Sequence, residues 1–188
     1  MAVIFARGTA EPGNVGILTG PPFFAAMAAY INGTNQLAIQ GVDYPADIAG
    51  FLSGGSIIGA ATMAALVNHT TATCPNTPIL LSGYSQGAQV VHLATAGLPA
   101  NTTAKIASVV LFGDPKNGTA LNGVDASKVI TFCHTSDDIC KGGDTISLSH
   151  LNYSADAGAA AMFALGSAAP KLGITSQRLR PADGGLGS

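Results

Sequence analysis

The chain has 188 residues, a length that suits one domain with a real hydrophobic core and is too short for two ordinary ones. A formal net charge of −2 and the lack of any basic run of five or more give no reason to expect a nucleic-acid partner; with 10% of residues charged against 47% hydrophobic, Ser, Thr, Asn and Gly must supply the polar surface. The most apolar helical segment, Ile57 to Val67, is far short of a membrane span, so a soluble single domain over 1–188 is expected.

In chain order, Val3-Ile4-Phe5 predicts a first strand that runs into a Gly- and Pro-bearing loop from Ala6 to Asn14. Pro21 and Pro22 open a helix from Phe23 to Tyr30, because proline is tolerated in a first turn. Leu37 to Val42 reads as a β segment and residues 56 to 68 as a second helix. Thr77 to Tyr84 is the central strand, and a helix follows to about Ala96. Ile106 to Phe112 and Val129 to Cys133 are further strands, Ala155 to Leu165 is the last helix, and Gly184 to Ser188 should fray. Strands alternating with helices, several of them almost continuously apolar, predict a mainly parallel sheet covered on both faces.

The junction of central strand and helix is Gly83-Tyr84-Ser85-Gln86-Gly87, a Gly-x-Ser-x-Gly pentapeptide. In a strand-turn-helix context this is a nucleophile elbow: the glycines remove side chains where strand and helix are forced close, and the serine is pushed into a strained, exposed position. The amide of Gln86 then points at a developing oxyanion, with a helix start behind it.

A serine nucleophile requires a base and a group that orients the base. Of the four histidines, His92 lies seven residues beyond Ser85 on the same helix and points elsewhere, His69 suits a helix end, and His134 follows a strand. His150, late in the chain after an acid-bearing loop, fits the order Ser, Asp, His and is the expected base. Asp114, Asp125, Asp137, Asp138 and Asp144 lie between Ser85 and His150, and order alone does not choose among them. Cys133 and Cys140 bracket Asp137 and Asp138; a disulfide there would pin the loop, and a metal half-site is disfavoured because no second Cys/His pair of that kind is present. No metal and no cofactor are expected. Five Asn-x-Ser/Thr sites, at Asn32, Asn68, Asn101, Asn117 and Asn152, together with the cysteine pair, suggest a secreted protein whose leader has been removed.

These residues resemble the cutinase family of fungal serine esterases, which also includes acetylxylan esterases, over nearly the whole chain. Ala6-Arg7-Gly8-Thr9-Ala10-Glu11 is similar to the family's Ala-Arg-Gly-Ser/Thr-x-Glu loop, Cys74-Pro75 precedes the elbow as it does there, and Val110-Leu111-Phe112-Gly113 recurs. The Cys-x-x-x-Asp-x-x-Cys run, with a histidine thirteen residues after the aspartate, places the family's acid on Asp137 and its base on His150.

The resemblance implies a small, lidless, three-layer α/β-hydrolase fold with a central, mostly parallel five-stranded sheet. It implies an oxyanion hole from the amides of Gln86 and Thr9, with the Thr9 hydroxyl as a third donor. It also implies an acyl groove lined by Ile146 and Leu148 with Tyr84 nearby. Asp144 stands where relatives commonly have an apolar groove residue, and Cys74 lacks its usual partner within this chain and is expected to be a free thiol. The activity implied is hydrolysis of carboxylic esters, cutin-like polyesters and short- to medium-chain acyl esters, by a monomer acting at an interface. Acetylxylan esterase or lipase-like activity, or an inactive surface-binding relative, are the alternatives.

Overall fold

The structure, a computed structural model, describes residues 1–31 and 37–172. Five strands form one sheet: β1 (Ala2–Ala6), β2 (Ala38–Gly41), β3 (Ile79–Tyr84), β4 (Ile106–Phe112) and β5 (Val129–Phe132), in the order β2-β1-β3-β4-β5. All four pairings are parallel. The helices are α1 (Gly20–Tyr30), α2 (Ile48–Leu52), α3 (Ile57–Thr73), α4 (Gln86–Gly97), α5 (Ala100–Thr103) and α6 (Ala157–Leu172).

The strands are apolar on both faces because each face has its own helical cover. Residues two apart share a face, so Ile4, Leu81, Val109 and Leu111 pack with Met63 of α3 and Val90 and Val91 of α4. Val3, Phe5, Leu80, Val110 and Phe112 pack on the other face with Phe23 and Met27 of α1 and Ala160, Ala161 and Ala164 of α6. The alanines of α6 recur at helical spacing and let that helix lie close to the sheet. Phe23 and Phe112 meet edge-on, ring centroids 5.4 Å apart, and each fully buried aromatic contributes about 1.5–3 kcal/mol through burial alone.

The strand order places the site. From β1 the chain moves one way to β2 over α1, and from β3 it moves the other way to β4 over α4. With right-handed crossovers these helices fall on opposite faces, leaving a crevice at the carboxyl edge between β1 and β3.

Several boundaries differ from the sequence reading. The helix expected over 56–68 runs to Thr73 and stops at Cys74, the residue before Pro75; the Cys74 amide donates to the Thr70 carbonyl. The last helix begins at Ala157 after a single turn at Tyr153–Asp156 and ends at Leu172. α2 and α5 were not expected; each follows a proline closely, and Asp47 caps α2 by accepting from the Gly50 amide at 2.7 Å. Asn68, Asn101, Asn117 and Asn152 are exposed. Asn32 and the tail from Gly184 lie outside the described residues.

Candidate active site

Ser85 stands between β3 and α4 with φ 56° and ψ −120°, a backbone conformation that a non-glycine residue adopts only when its surroundings hold it. What holds it is the crowding around two glycines. A Cβ on Gly83 would lie 2.2 Å from the Gly87 carbonyl oxygen, and one on Gly87 would lie 2.0 Å from the Ala6 carbonyl oxygen. The elbow is therefore pressed directly onto the end of β1. The Ser85 amide also donates to the Phe112 carbonyl at 2.9 Å, tying the turn to β4.

Ser85 Oγ lies 2.9 Å from His150 Nε2, and His150 Nδ1 lies 2.8 Å from Asp137 Oδ2. The three side chains, drawn from the end of β3, the disulfide loop after β5 and the turn before Tyr153, are 4%, 2% and 0% exposed in the order Ser85, His150, Asp137, so their mutual attraction is little screened by water. Asp137 Oδ1 accepts from the Ile139 amide at 3.0 Å, and Oδ2 also accepts from the Tyr153 hydroxyl at 2.6 Å. Asp138 instead turns outward and accepts from the Thr145 amide at 3.1 Å. Cys133 and Cys140 form a disulfide around this loop, with Cα atoms 5.9 Å apart; Cys74 is free and exposed.

The acceptor pattern fixes the tautomer that chemistry needs: Nδ1–H faces the carboxylate, which leaves Nε2 bare toward the serine hydroxyl. Tyr84 donates to the His150 carbonyl at 2.9 Å and stacks on its ring, centroids 5.2 Å apart. Burial, with the Glu11 and Asp137 carboxylates adding to it, pushes the Tyr84 phenol far above its ordinary pKa, so it remains a neutral donor.

Thr9 follows β1 across the crevice. Its loop is held by Glu11, whose carboxylate accepts from the amides of Gly8, Ile17 and Leu18 at 2.8, 3.0 and 2.9 Å. Arg7 donates to the carbonyls of Glu11 and Tyr44 at 2.7 and 2.8 Å and lies over the Tyr44 ring. The Gln86 side chain joins loop to elbow: Nε2 donates to Thr9 Oγ1 at 2.9 Å and to the Asp47 carbonyl at 2.7 Å. With a lone pair of Thr9 Oγ1 engaged in this way, its proton is free to point toward an oxyanion.

These residues border a cavity of about 470 Å³ whose walls are mainly apolar: Leu18, Ile48, Phe51, Leu52, Ile146 and Leu151, with Ser85, Tyr84 and His150 at its base. Thr9 and Asp144 supply polar edges. Leu148, expected in the groove, is not part of this lining and is 85% exposed. A tight turn, with His150 N bonded to the Ser147 carbonyl and Leu151 N to that of Leu148, swings Leu148 to solvent and leaves Leu151 facing the cavity. Among the described residues, no group of His, Cys, Asp and Glu is placed to hold a metal.

The Cutinase family model matches residues 1–167. The chain belongs to the cutinase family. It is 52% identical over 163 residues to the cutinase of Botryotinia fuckeliana, covering 87% of this chain and 80% of that one. It is likewise 52% identical over 164 residues to cutinase pbc1 of Pyrenopeziza brassicae, with the same coverage. Trichoderma reesei cutinase, solved with a phosphonate inhibitor, superposes with a TM-score of 0.84 at 47% identity, covering 88% of this chain and 75% of that one. An acetylxylan esterase at 19% identity and a TM-score of 0.68, covering 89% and 97%, shares the fold alone. The fold is that of the α/β-hydrolases, and the chain, like other cutinases, is a serine esterase acting on carboxylic esters.

His92 and His134 each have an acid of their own. His92 Nε2 is 2.9 Å from Asp114 Oδ2, a buried pair on the flank of α4, and His134 Nε2 is 2.8 Å from Asp156 Oδ2. Neither touches Ser85. Sequence reasoning missed Gln86 as a side chain, as distinct from its amide, and missed Tyr153 entirely. The only local signal for Gln86 was its place after the elbow serine, and Tyr153 had none.

Proposed function

We propose that Ser85, His150 and Asp137 carry the esterase reaction, with Thr9 and Gln86 as oxyanion donors. The observation that carries this reading is the unbroken line from Ser85 Oγ to Asp137, at 2.9 and 2.8 Å, at the base of an apolar cavity. Ser85 Oγ attacks the ester carbonyl carbon while His150 Nε2 takes its proton, and Asp137 holds the imidazolium that forms. Negative charge on the former carbonyl oxygen meets the amides of Gln86 and Thr9 and the Thr9 hydroxyl, each donor worth about 3 kcal/mol of barrier. His150 then protonates the leaving alcohol, and a water deprotonated by the same ring hydrolyses the acyl-enzyme.

The substrate class is a short- to medium-chain acyl ester or a cutin-like polyester. Supporting this are the apolar walls and the exposed Ile48, Leu52 and Ile146 that line the cavity, a surface suited to an apolar interface. The protein acts as a secreted monomer: every proposed catalytic group comes from this one chain, and a formed disulfide with exposed Asn-x-Ser/Thr sites suits an oxidising, extracellular setting. The phosphonate inhibitor of the Trichoderma reesei relative suggests the test. An organophosphonate should label one site and abolish hydrolysis of p-nitrophenyl esters, and Ser85→Ala should lose both label and activity. Labelling or turnover that survives in Ser85→Ala refutes the assignment, and a series of acyl lengths defines the preference.

A further inference from the structure

We propose that His134, held as an imidazolium, is a positioning residue that fixes both the backbone of the base His150 and, through Tyr153, the acid Asp137. The proposal rests on the reading that these two residues serve Ser85.

His134 lies just beyond β5, its ring stacked on that of Tyr153 with centroids 4.2 Å apart and planes 20° apart. Nδ1 is 2.7 Å from the Ser149 carbonyl oxygen and Nε2 is 2.8 Å from Asp156 Oδ2. A carbonyl oxygen only accepts, and so does an ionised carboxylate. A neutral imidazole has one N–H and can satisfy only one of them, so both contacts are hydrogen bonds when both nitrogens are protonated. The alternative puts the shared proton on Asp156, against the ordinary proton affinities of carboxylate and imidazole, which differ by more than two units in favour of the ring.

The charged and titratable groups facing this ring are Asp156 from the turn before α6, Asp137 from the disulfide loop, the Tyr153 phenol, and beyond that phenol His150. Partial burial disfavours the charge on His134. The bonds to the Ser149 carbonyl and to Asp156, with the carboxylates of Asp156 and Asp137, outweigh it and raise the pKa above its usual value. Burial, and then the bond to Asp137, pushes the Tyr153 phenol well above its ordinary range, so it stays neutral.

The contacts reach the reaction centre by two routes. Ser149 immediately precedes His150. His134 pins the Ser149 carbonyl while Tyr84 pins the His150 carbonyl, so the carbonyls of two successive residues are held. On the other route the Tyr153 oxygen accepts the His134 amide at 3.0 Å and donates to Asp137 Oδ2. One residue thus supports base and acid together: its ring pins the Ser149 carbonyl and stacks on Tyr153, and its amide holds the Tyr153 oxygen. Because the folded pKa is raised, the charged form's contribution is fully present below the unfolded value near 6.5 and is lost as pH rises through the raised value. Loosening of the centre should therefore appear on the alkaline side.

The test has two arms. Nitrogen-edited NMR of the histidine rings in Ser85→Ala protein, which needs no activity, should find both His134 nitrogens protonated at about pH 6. A ring bare at one nitrogen there overturns the proposal. In the second arm, kcat and KM for a p-nitrophenyl ester are measured across pH, per site titrated with phosphonate. His134→Ala should lower kcat about tenfold with KM little changed. Asp156→Asn should move the alkaline fall in kcat to lower pH. His134→Gln, whose amide donates but does not titrate, should recover part of kcat and lack that fall. Variants that lose thermal stability while kcat per site and the alkaline fall stay as in the wild type refute the positioning role. Wild-type turnover in Ser85→Ala would instead fault the reading of the reaction centre, leaving the NMR arm to judge the charge of the ring.

Discussion

Replacing Gln86 by leucine keeps its backbone amide in the proposed oxyanion hole but removes the side-chain donor that engages Thr9 Oγ1. In the intact protein that bond leaves the Thr9 hydroxyl proton directed away from Gln86. Once it is gone the hydroxyl has three staggered positions in place of two, and if one of them faces the oxyanion the loss is RT ln(3/2), about 0.24 kcal/mol or 1.5-fold. The Thr9 loop also loses its tie to the elbow and to Asp47, and that slack should bring the fall in kcat to roughly tenfold. Thr9→Val, which deletes the donor itself, should cost about 10²- to 10³-fold. Because Gln86 is argued to act through Thr9, adding Gln86→Leu to Thr9→Val should cost almost nothing more, a strong departure from additivity. The assay is turnover of a short p-nitrophenyl ester per phosphonate-titrated site. Stability should move by only about 1 kcal/mol, since the buried Gln86 Oε1 has no partner to lose. If the two losses multiply in the double variant, or if Gln86→Leu alone matches Thr9→Val, the side chain does not work through the threonine hydroxyl.

Asp137→Asn should lower kcat by about four decades through loss of the His150 tautomer, whereas Asp138→Asn, whose carboxylate holds only a loop amide, should stay within about threefold; the reverse ranking in the same assay would reassign the acid. The Cys133→Ser, Cys140→Ser double variant should lose about 2–3 kcal/mol of stability because it opens so short a loop, and should still fold at room temperature. Its kcat should nonetheless fall by about a hundredfold, more than KM changes, and full activity would show that Ile139 and Tyr153 hold Asp137 without the bridge.

The parts of the fold that were legible are those where local chemistry and global packing agree. β1, β3 and β4 read as almost continuous apolar runs because both faces are covered, and the elbow glycines announce a backbone approach that nothing larger than hydrogen permits. Ser85 and His150 are legible from the elbow and chain order; the cysteine bracket narrows the acid to Asp137 or Asp138, and only the resemblance to the cutinase family chooses Asp137. What escaped depends on contacts between residues far apart in sequence. Gln86 meets Thr9 across 77 positions, and His134 meets Ser149 and Asp156 only after β5 and the disulfide loop bring them together. Leu148 was assigned to the groove because it lies between the second cysteine and the histidine. Spacing does not reveal a turn that exchanges its direction with that of Leu151. α2 escaped because five residues are too few to display a helical period.

The chain has no tryptophan and four tyrosines, and three of these, Tyr44, Tyr84 and Tyr153, are the buried phenols that bond the Arg7 carbonyl before Thr9, the His150 carbonyl and the Asp137 carboxylate. Its near-ultraviolet absorption and emission therefore arise largely from the reaction centre, so the native protein carries its own optical label there. A ligand entering the cavity should perturb tyrosine emission directly, with no added fluorophore. Burial raises the pKa of all three and so suppresses their ionisation; in an alkaline titration their phenolate absorbance should emerge only with unfolding, making one spectrum a report on both the integrity of the site and the integrity of the fold.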